Sequence, residues 1–145
     1  MPSVKKSALV MHKASEMYHL VDDIELYPEF LPWCKSTTII ERDEDHAKAS
    51  IEIAVGAVNK SFTTVNRTQK NKMIEIRLVE GPFKHLQGFW QFDALEENAS
   101  KISVDMEFEY SSRMMGMVIG PVFGKIVDGL IDAFCKRADQ VYRNG

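Results

Sequence analysis

Hydrophobic and polar residues alternate with a period of two along most of the chain between positions 33 and 110. Such alternation is typical of strands with one buried and one exposed face. It predicts six strands, at residues 33–43, 47–56, 58–69, 73–80, 86–95 and 101–110. Turn-forming residues, such as those at 43–46 and 69–72, separate the strands. Because these connections are short, consecutive strands are predicted to pair antiparallel as a meander.

The last thirty or so residues, 113–143, follow a helical period instead. Apolar residues recur every three to four positions and charged residues occupy the opposite side, which predicts one long amphipathic helix. Its first third, residues 114–123, carries no charge. Such a segment is too short to span a bilayer, which needs about 20 apolar residues. Pro121 leaves two interpretations open: it begins the main helix, or it kinks a longer one.

Three short elements are predicted before the meander. Residues 3–11 read as a first strand, and residues 14–22 as a short helix with Ser15 as its N-cap. Pro28 and Pro32 exclude both a long helix and a paired central strand over residues 24–34. This segment is therefore predicted to be a compact, aromatic-rich corner.

The apolar stripe of the helix and the apolar face of the sheet predict an α+β helix-grip fold. In it, a strongly curved antiparallel sheet of about seven strands wraps around the long C-terminal helix, with short helices after the first strand. A length of 145 residues predicts one domain over residues 1–145. Where the helix stops filling the concave face of the sheet, we expect a cavity.

Large apolar side chains from the later strands and the helix start are predicted to line this cavity. The predicted lining is Leu78, Phe83, Leu86, Trp90, Phe92, Phe108, Met115, Val118, Ile119, Val122 and Phe123. Four aromatic members of this set are of a type found more often in a plain core than in contact with a ligand: Phe83, Trp90, Phe92 and Phe108. Methionines repack at low cost, so the Met- and Gly-rich helix start could form a pliable gate. Alternatively, its glycines only let the helix lie close to the sheet.

The proline corner is predicted to form the cavity rim and a partner surface. The residues of this predicted rim are Tyr27, Pro28, Phe30, Leu31, Pro32 and Trp33. The alternative is a rigid cap over the edge of the sheet.

The net charge of −3 argues against a general nucleic-acid binder, and no DNA partner is expected. Six basic residues against two acidic ones nevertheless fall between positions 60 and 84. We call Lys60, Arg67, Lys70 and Lys72 of this segment the basic lobe. It could steer toward phosphate in a lipid headgroup or in RNA, or it could be an ordinary solvated pair of strands.

Candidate catalytic and metal-binding residues are sparse. The two cysteines, Cys34 and Cys135, have no partner spacing, so we expect neither a disulfide nor a metal site, and we read Cys34 as structural. Of the four histidines only His85, together with Tyr110, could approach the cavity mouth, and His85 is better interpreted as a surface residue beside Lys84. We therefore expect no enzymatic activity. The short apolar run at the N-terminus does not fit a signal peptide, which predicts a cytoplasmic protein.

The segment Tyr27-Pro28-Glu29-Phe30-Leu31-Pro32-Trp33-Cys34 resembles the signature of the coenzyme-Q-binding START-domain family. This family lies within the START/Bet v 1-like, polyketide cyclase/dehydrase-like superfamily. Further matches are Gly81-Pro82-Phe83, Leu86-Gln87-Gly88 with Trp90 and Phe92, and Phe134-Cys135-Lys136-Arg137-Ala138. The resemblance covers nearly the whole chain.

The resemblance implies a bound ubiquinone or isoprenoid relative, a role supporting respiration, no required cofactor, and peripheral contact with the inner membrane. The same family includes the bacterial ribosome-association toxins. They imply an alternative function, in which the chain binds the large ribosomal subunit through its RNA and blocks subunit association. The motifs do not choose between these functions, and they leave the ligand identity and the oligomeric state open.

Overall fold

A computed structural model describes residues 3–142, which form one antiparallel sheet and three helical segments. The strands are β1 Ser3–Val10, β2 Cys34–Arg42, β3 His46–Val55, β4 Val58–Gln69, β5 Met73–Glu80, β6 Phe83–Glu96 and β7 Ala99–Tyr110. The helices are α1 Ala14–Asp22, a 3-10 helix Ile24–Glu29, and α2 Arg113–Val141.

The strand order is β1-β7-β6-β5-β4-β3-β2, with every pair antiparallel. The predicted meander therefore runs from β2 to β7, and β1 joins the free edge of β7. This arrangement and the long C-terminal helix confirm the predicted α+β helix-grip fold. One end of the sheet holds the turns after β3, β5 and β7 and the start of α2, and we call it the helix-start end. The turns after β2, β4 and β6 lie at the far end.

Most predicted boundaries agree with the structure, and the differences have local causes. Strand β6 begins at Phe83, three residues earlier than predicted, because Phe83 pairs with Tyr110 across a register shift. Helix α1 has the predicted bounds but not the predicted cap. Its N-cap is Lys13, whose backbone N–H donates to Oε1 of Glu16 at 2.9 Å, so Ser15 lies inside the first turn.

Helix α2 is continuous through Pro121, which favours the longer of the two predicted helices. It begins after Ser112, whose hydroxyl accepts a hydrogen bond from the Met115 backbone N–H at 3.0 Å. The predicted last residue, Arg143, lies outside the described residues. By length and composition alone α2 could cross a membrane, since one 18-residue window has a mean hydropathy of 1.5. Its inward residues, however, pack into the core of the domain.

The buried stripe of α2 explains why the helix lies in the grip. Its buried residues are Ile119, Phe123, Ile126, Val127, Ile131, Phe134 and Ala138. Burying one large apolar side chain stabilises a fold by roughly 1.5–3 kcal/mol. Among its closest neighbours are α1, β1 and β7, at one edge of the sheet. The strands toward the other edge, β3 to β5, face α2 across a cavity.

Candidate ligand-binding cavity

An apolar cavity of about 80 Å³ lies between α2 and the concave face of the sheet. Strands β3 to β7 supply apolar side chains, among them Ile53, Phe62, Leu86 and Trp90. Helix α2 supplies Phe123, Ile126, Val127, Leu130 and Phe134. Pockets for drug-sized ligands typically measure about 300–1,000 Å³. A ligand of that size therefore requires side chains of this cavity to move.

Three of the eleven predicted lining residues, Leu86, Trp90 and Phe123, lie on the cavity wall. Phe83, Ile119 and Val122 instead line a second apolar gap, of about 10 Å³, at the helix-start end. Such a gap holds at most about one water. The remaining five predicted residues line neither space.

Those five residues have three different environments. Phe92 and Phe108 are fully buried core residues. Leu78 and Met115 are half-buried and pack against the core. Val118 differs most from the prediction, because 47% of it is exposed. It lies four residues after Met114, which is also exposed, on the outer side of α2, so its side chain points away from the cavity.

Phe123 lines both the cavity and the smaller gap. Its ring centroid lies 4.8 Å from that of Phe83, 5.0 Å from that of Phe108 and 6.5 Å from that of Phe62. Edge-on and tilted contacts at these distances are favourable for aromatic pairs. Phe123 is therefore the α2 side chain at the boundary of the two apolar spaces, where Ile53 and Phe62 line both from the sheet.

The glycines of the helix start pack against one aromatic ring. A Cβ at Gly116 would lie 3.1 Å from Cδ2 of Tyr110, and one at Gly120 would lie 3.7 Å from that ring. Gly124 has open space where its Cβ would be. Close packing thus accounts for Gly116, and it does not account for Gly124.

Two polar side chains interrupt the apolar wall, and the sequence reading missed both. Thr64 and Asn66 lie on β4, are 4% and 8% exposed, and line the cavity. The Thr64 hydroxyl donates a hydrogen bond to Oδ1 of Asn66 at 3.0 Å. The signal was present in the alternation of β4, where Thr64 and Asn66 continue the inward row begun by Phe62.

The proline corner is partly wall and partly cap. Tyr27 and Trp33 line the cavity, whereas Leu31 is buried in the core. Pro28 and Pro32 are exposed. Burial, with a smaller contribution from the nearby Asp22 charge, raises the pKa of Tyr27, so its hydroxyl stays protonated and donates to the Val21 carbonyl.

Phe30 packs the proline corner against the second half of α2. Its ring lies 5.3 Å from that of Phe134, centroid to centroid, and the Arg137 guanidinium lies 5.0 Å from the Phe30 centroid. Arg137 also pairs with Glu29 at 3.2 Å. The corner therefore closes the side of the cavity against α2.

The structure divides the basic lobe between the two ends of the sheet. Lys60 is half-buried and borders the small gap at the helix-start end. Arg67, Lys70 and Lys72 are exposed at the far end, around the turn between β4 and β5. Within residues 3–142 none of these three cations forms an ion pair within 4.0 Å. Arg67 shares a shallow surface groove with the acidic residues Asp43, Asp45 and Glu75, which weaken its positive field.

His85 does not line the cavity, which agrees with its favoured interpretation as a surface residue. Its Nε2 is 3.8 Å from a carboxylate oxygen of Glu107, on the outer face of the sheet. The register shift between Phe83 and His85 turns it outward while Phe83 and Leu86 stay buried. Burial raises the pKa of Cys34 to about 11, so this thiol stays protonated near neutral pH and is a poor nucleophile.

Acidic and basic side chains are absent from the cavity wall, as far as residues 3–142 are concerned. In the same part of the chain no group of three His, Cys, Asp or Glu side chains could hold a metal ion. The arrangement is suited to enclosing an apolar molecule and offering it a few neutral polar contacts.

Two named proteins are similar to this chain over most of its length. The Ribosome association toxin RatA of Vibrio cholerae is 42% identical over 142 residues, covering 98% of this chain and 99% of the relative. The Coenzyme Q-binding protein COQ10, mitochondrial, of Dictyostelium discoideum is 27% identical, covering 90% of this chain and 66% of the relative.

Solved structures share the fold at lower identity. The Zhui aromatase/cyclase from Streptomyces sp. R1128 superposes with a TM-score of 0.87 at 14% identity, over 99% of this chain and 96% of that one. A START superfamily protein from Mycobacterium smegmatis gives 0.81 at 21% identity, over 96% and 98%. The family model described as "Polyketide cyclase / dehydrase and lipid transport" matches residues 10–135. The chain therefore belongs to the polyketide cyclase/dehydrase and lipid transport family.

Proposed function

We propose that this chain binds a long apolar ligand with a neutral polar head, of the ubiquinone or isoprenoid class, in the cavity between α2 and the sheet. The observation that carries the proposal is the cavity wall, which is mostly apolar and whose polar groups are all neutral. Water finds few hydrogen-bonding partners on such a wall. An apolar molecule, in contrast, is stabilised when it moves from water into the cavity. The relative named for coenzyme Q binding supports the same ligand class.

The ligand is accommodated by movement of the helix start. A cavity of about 80 Å³ is smaller than a quinone ring and its tail. Rotation of the Phe123 ring would join it to the gap lined by Ile119 and Val122, and the two spaces together run along the inner side of α2.

The helix-start end also has the surface through which such a ligand would enter. Met114 and Met117 are 75% and 74% exposed, and Val118 lies beside them. Arg113 and Lys125, both exposed, flank this apolar face. An apolar face flanked by cations suits peripheral contact of a cytoplasmic protein with the inner membrane, where the ligand is dissolved.

The proposed role is binding, with no catalytic step. The polar cavity groups are the Tyr27 phenol, the Thr64 hydroxyl and the Asn66 amide, together with the ring N–H groups of the two tryptophans. General acid–base catalysis needs a group that gains or loses a proton near the working pH, and burial moves the pKa of Tyr27 further above that range.

Extraction of the native protein tests the ligand proposal. The protein is purified gently from its own cells, extracted with organic solvent, and the extract is analysed by mass spectrometry. A quinone or isoprenoid in about equal molar amount is the expected result. An empty extract from folded protein, together with no binding of added decylubiquinone, would overturn the proposal.

A second proposed function is association with the ribosome, binding the large subunit and blocking subunit association. It is favoured by the relatives named as ribosome association toxins, which match 98% of this chain at 36–42% identity. The exposed cations Arg67, Lys70 and Lys72 at the far end are the proposed contact with ribosomal RNA. Because the helix-start end lies opposite, ligand binding and ribosome contact are compatible in one molecule. Sedimentation of ribosomal subunits with the added protein tests this function.

A further inference from the structure

We infer that the Asn66 amide donates a hydrogen bond to the polar head of the ligand and so fixes its orientation in the cavity. The head then lies against β4, and the apolar tail runs toward Phe123 and the start of α2. This inference rests on the proposed ligand-binding function, and it adds the residue that selects the head group.

Asn66 is placed where a polar side chain is unfavourable without a partner. It is 8% exposed, it lines the cavity, and its neighbours on the wall include Phe62, Ile76 and Trp90. Burying an amide among apolar groups lowers stability unless its hydrogen-bonding groups are satisfied. Its ladder partners on the adjacent strands are Ala47 and Ile76, whose side chains have no polar atom. An acceptor that enters the cavity is a partner of the kind that this position can use.

Thr64 determines which half of the amide is free. Its hydroxyl donates to Oδ1 of Asn66 at 3.0 Å, which orients the side chain and uses the accepting half. The NH₂ half is a donor only. The group that it recognises must therefore be an acceptor, such as a carbonyl or ether oxygen.

The lack of charged side chains on the wall further restricts the chemical class of the head group. Along the described lining there is no Lys, Arg or His to balance a carboxylate or phosphate, and no Asp or Glu to balance an amine. An ionic head would be buried without a counter-charge, which is strongly unfavourable. The head is therefore a neutral acceptor, the chemistry of a quinone ring with its carbonyl and methoxy oxygens.

The direction of the tail follows from the position of Asn66 along β4. Asn66 lies four residues from Phe62, and at about 3.3 Å per residue the two are about 13 Å apart along the strand. Phe62 borders both the main cavity and the smaller gap at the helix-start end. A ring held at Asn66 thus leaves its tail pointing toward Phe123 and the exposed apolar start of α2.

The test compares a ligand that has acceptor oxygens with one that lacks them. Decylubiquinone and decylbenzene carry the same alkyl tail, and calorimetric titration in dilute detergent gives a dissociation constant for each. Asn66→Leu keeps the size of the side chain and removes the donor. We expect this change to weaken decylubiquinone about tenfold to a hundredfold, the effect of one lost buried hydrogen bond, and to change decylbenzene affinity less than about threefold.

Thr64→Val is the matched second variant, because it leaves the Asn66 donor in place but releases its orientation. It should weaken decylubiquinone by less than Asn66→Leu does, again without affecting decylbenzene. Infrared spectra give an independent readout: the quinone carbonyl band should shift to lower wavenumber on binding to the wild type, and this shift should be lost in Asn66→Leu. If Asn66→Leu does not fold, Thr64→Val tests the inference alone, since it should weaken the binding of decylubiquinone and leave that of decylbenzene unchanged.

The outcomes separate the inference from the proposed function. If wild type binds both ligands and Asn66→Leu weakens both equally or neither, the inference is overturned and the ligand-binding proposal stands. If wild type binds neither ligand, the inference and the ligand-binding proposal are both overturned. A band shift that survives in Asn66→Leu would also overturn the assignment of Asn66.

Discussion

The ring of Phe123 lies 4.8 Å from that of Phe83, centroid to centroid, at the boundary between the two apolar spaces beneath α2. Phe83 is held in place by stacking on Tyr110, with 5.7 Å between centroids. Phe123 lies on the helix, three residues after Gly120 and next to Gly124. Of the two rings only that of Phe123 also lines the main cavity, so it is the one expected to move when a long ligand enters.

Phe123→Ala is predicted to join the two spaces and to speed uptake of a long-tailed quinone. Removing a buried Phe side chain costs about 3–5 kcal/mol of unfolding free energy, which urea unfolding would measure. Uptake can be followed by stopped-flow fluorescence, because both tryptophans of the chain, Trp33 and Trp90, line the cavity.

Phe92→Ala is the control for this prediction. Phe92 is as deeply buried as Phe123 but does not line the cavity, so its removal should lower stability without speeding uptake. Equal acceleration in both variants would mean that loss of stability, and not removal of a barrier, is responsible. Phe123→Leu extends the comparison if the alanine variant does not fold.

Val118→Asp is predicted to slow transfer of quinone from membranes without weakening quinone binding in detergent. Val118 is 47% exposed on the outer side of α2, so a charge there meets the membrane surface and not the cavity. Transfer from vesicles containing anionic lipid would be compared with binding of detergent-dispersed decylubiquinone. Lys70→Glu, at the other end of the sheet, should leave both unchanged. A loss of binding in detergent would show that Val118 acts on the cavity after all.

The thiol of Cys34 predicts a component of stability that is lost in alkali. Burial raises its pKa to about 11 in the folded chain, above the ordinary value of 9.0. Between these values the unfolded chain releases the proton and the folded chain keeps it, so the free energy of unfolding falls as pH rises. Below pH 9 both states are protonated and this component is fully present.

Comparison with Cys34→Ala isolates this effect from the ionisation of tyrosines. The alanine variant should be less stable than wild type at pH 8, and the difference in unfolding free energy should narrow from pH 9 to pH 11. Urea unfolding at each pH measures it. A difference that stays constant over this range would contradict the raised pKa.

The strands and α1 could be predicted because their signals are local. Alternation and turn residues define each strand, and α1 has the predicted bounds. The part of the cavity lining predicted on α2 was too wide, since it included both Val118 and Ile119, of which only Ile119 is buried. Successive helical residues are rotated by about 100°, so which residues at the edge of the apolar stripe point inward depends on how α2 is rotated against the sheet. That rotation is a property of tertiary packing.

The candidate site was less predictable, for two different reasons. Asn66 was overlooked because it is polar, although it continues the inward row of β4. The basic lobe was grouped by sequence proximity. Lys60, however, lies near the start of β4, and Lys70 follows its end, ten residues later. At about 3.3 Å per residue this separates them by about 30 Å, a distance that strand geometry alone would have given. The cavity volume depends on side-chain packing and has no sequence signal.

Ribosome binding, if it uses the far end of the sheet, should depend on the exposed lysines there. Lys70→Glu combined with Lys72→Glu is predicted to weaken binding to the large subunit, because Lys70 and Lys72 lie free of ion pairs within residues 3–142 and can neutralise phosphates. Binding by wild type should weaken steeply as KCl is raised, and the double variant should show a shallower dependence on salt. Sucrose-gradient sedimentation with purified subunits measures both.

Lys125→Glu combined with Lys136→Glu provides the control, since these lysines are exposed on α2 and the change in net charge is the same. If this pair weakens ribosome binding as much as the far-end pair does, net charge and not a local contact is responsible. Decylubiquinone binding should be unchanged in all of these variants, because none of the four lysines lines the cavity. A far-end variant that loses ribosome binding but keeps the quinone would separate the two proposed functions onto opposite ends of the fold.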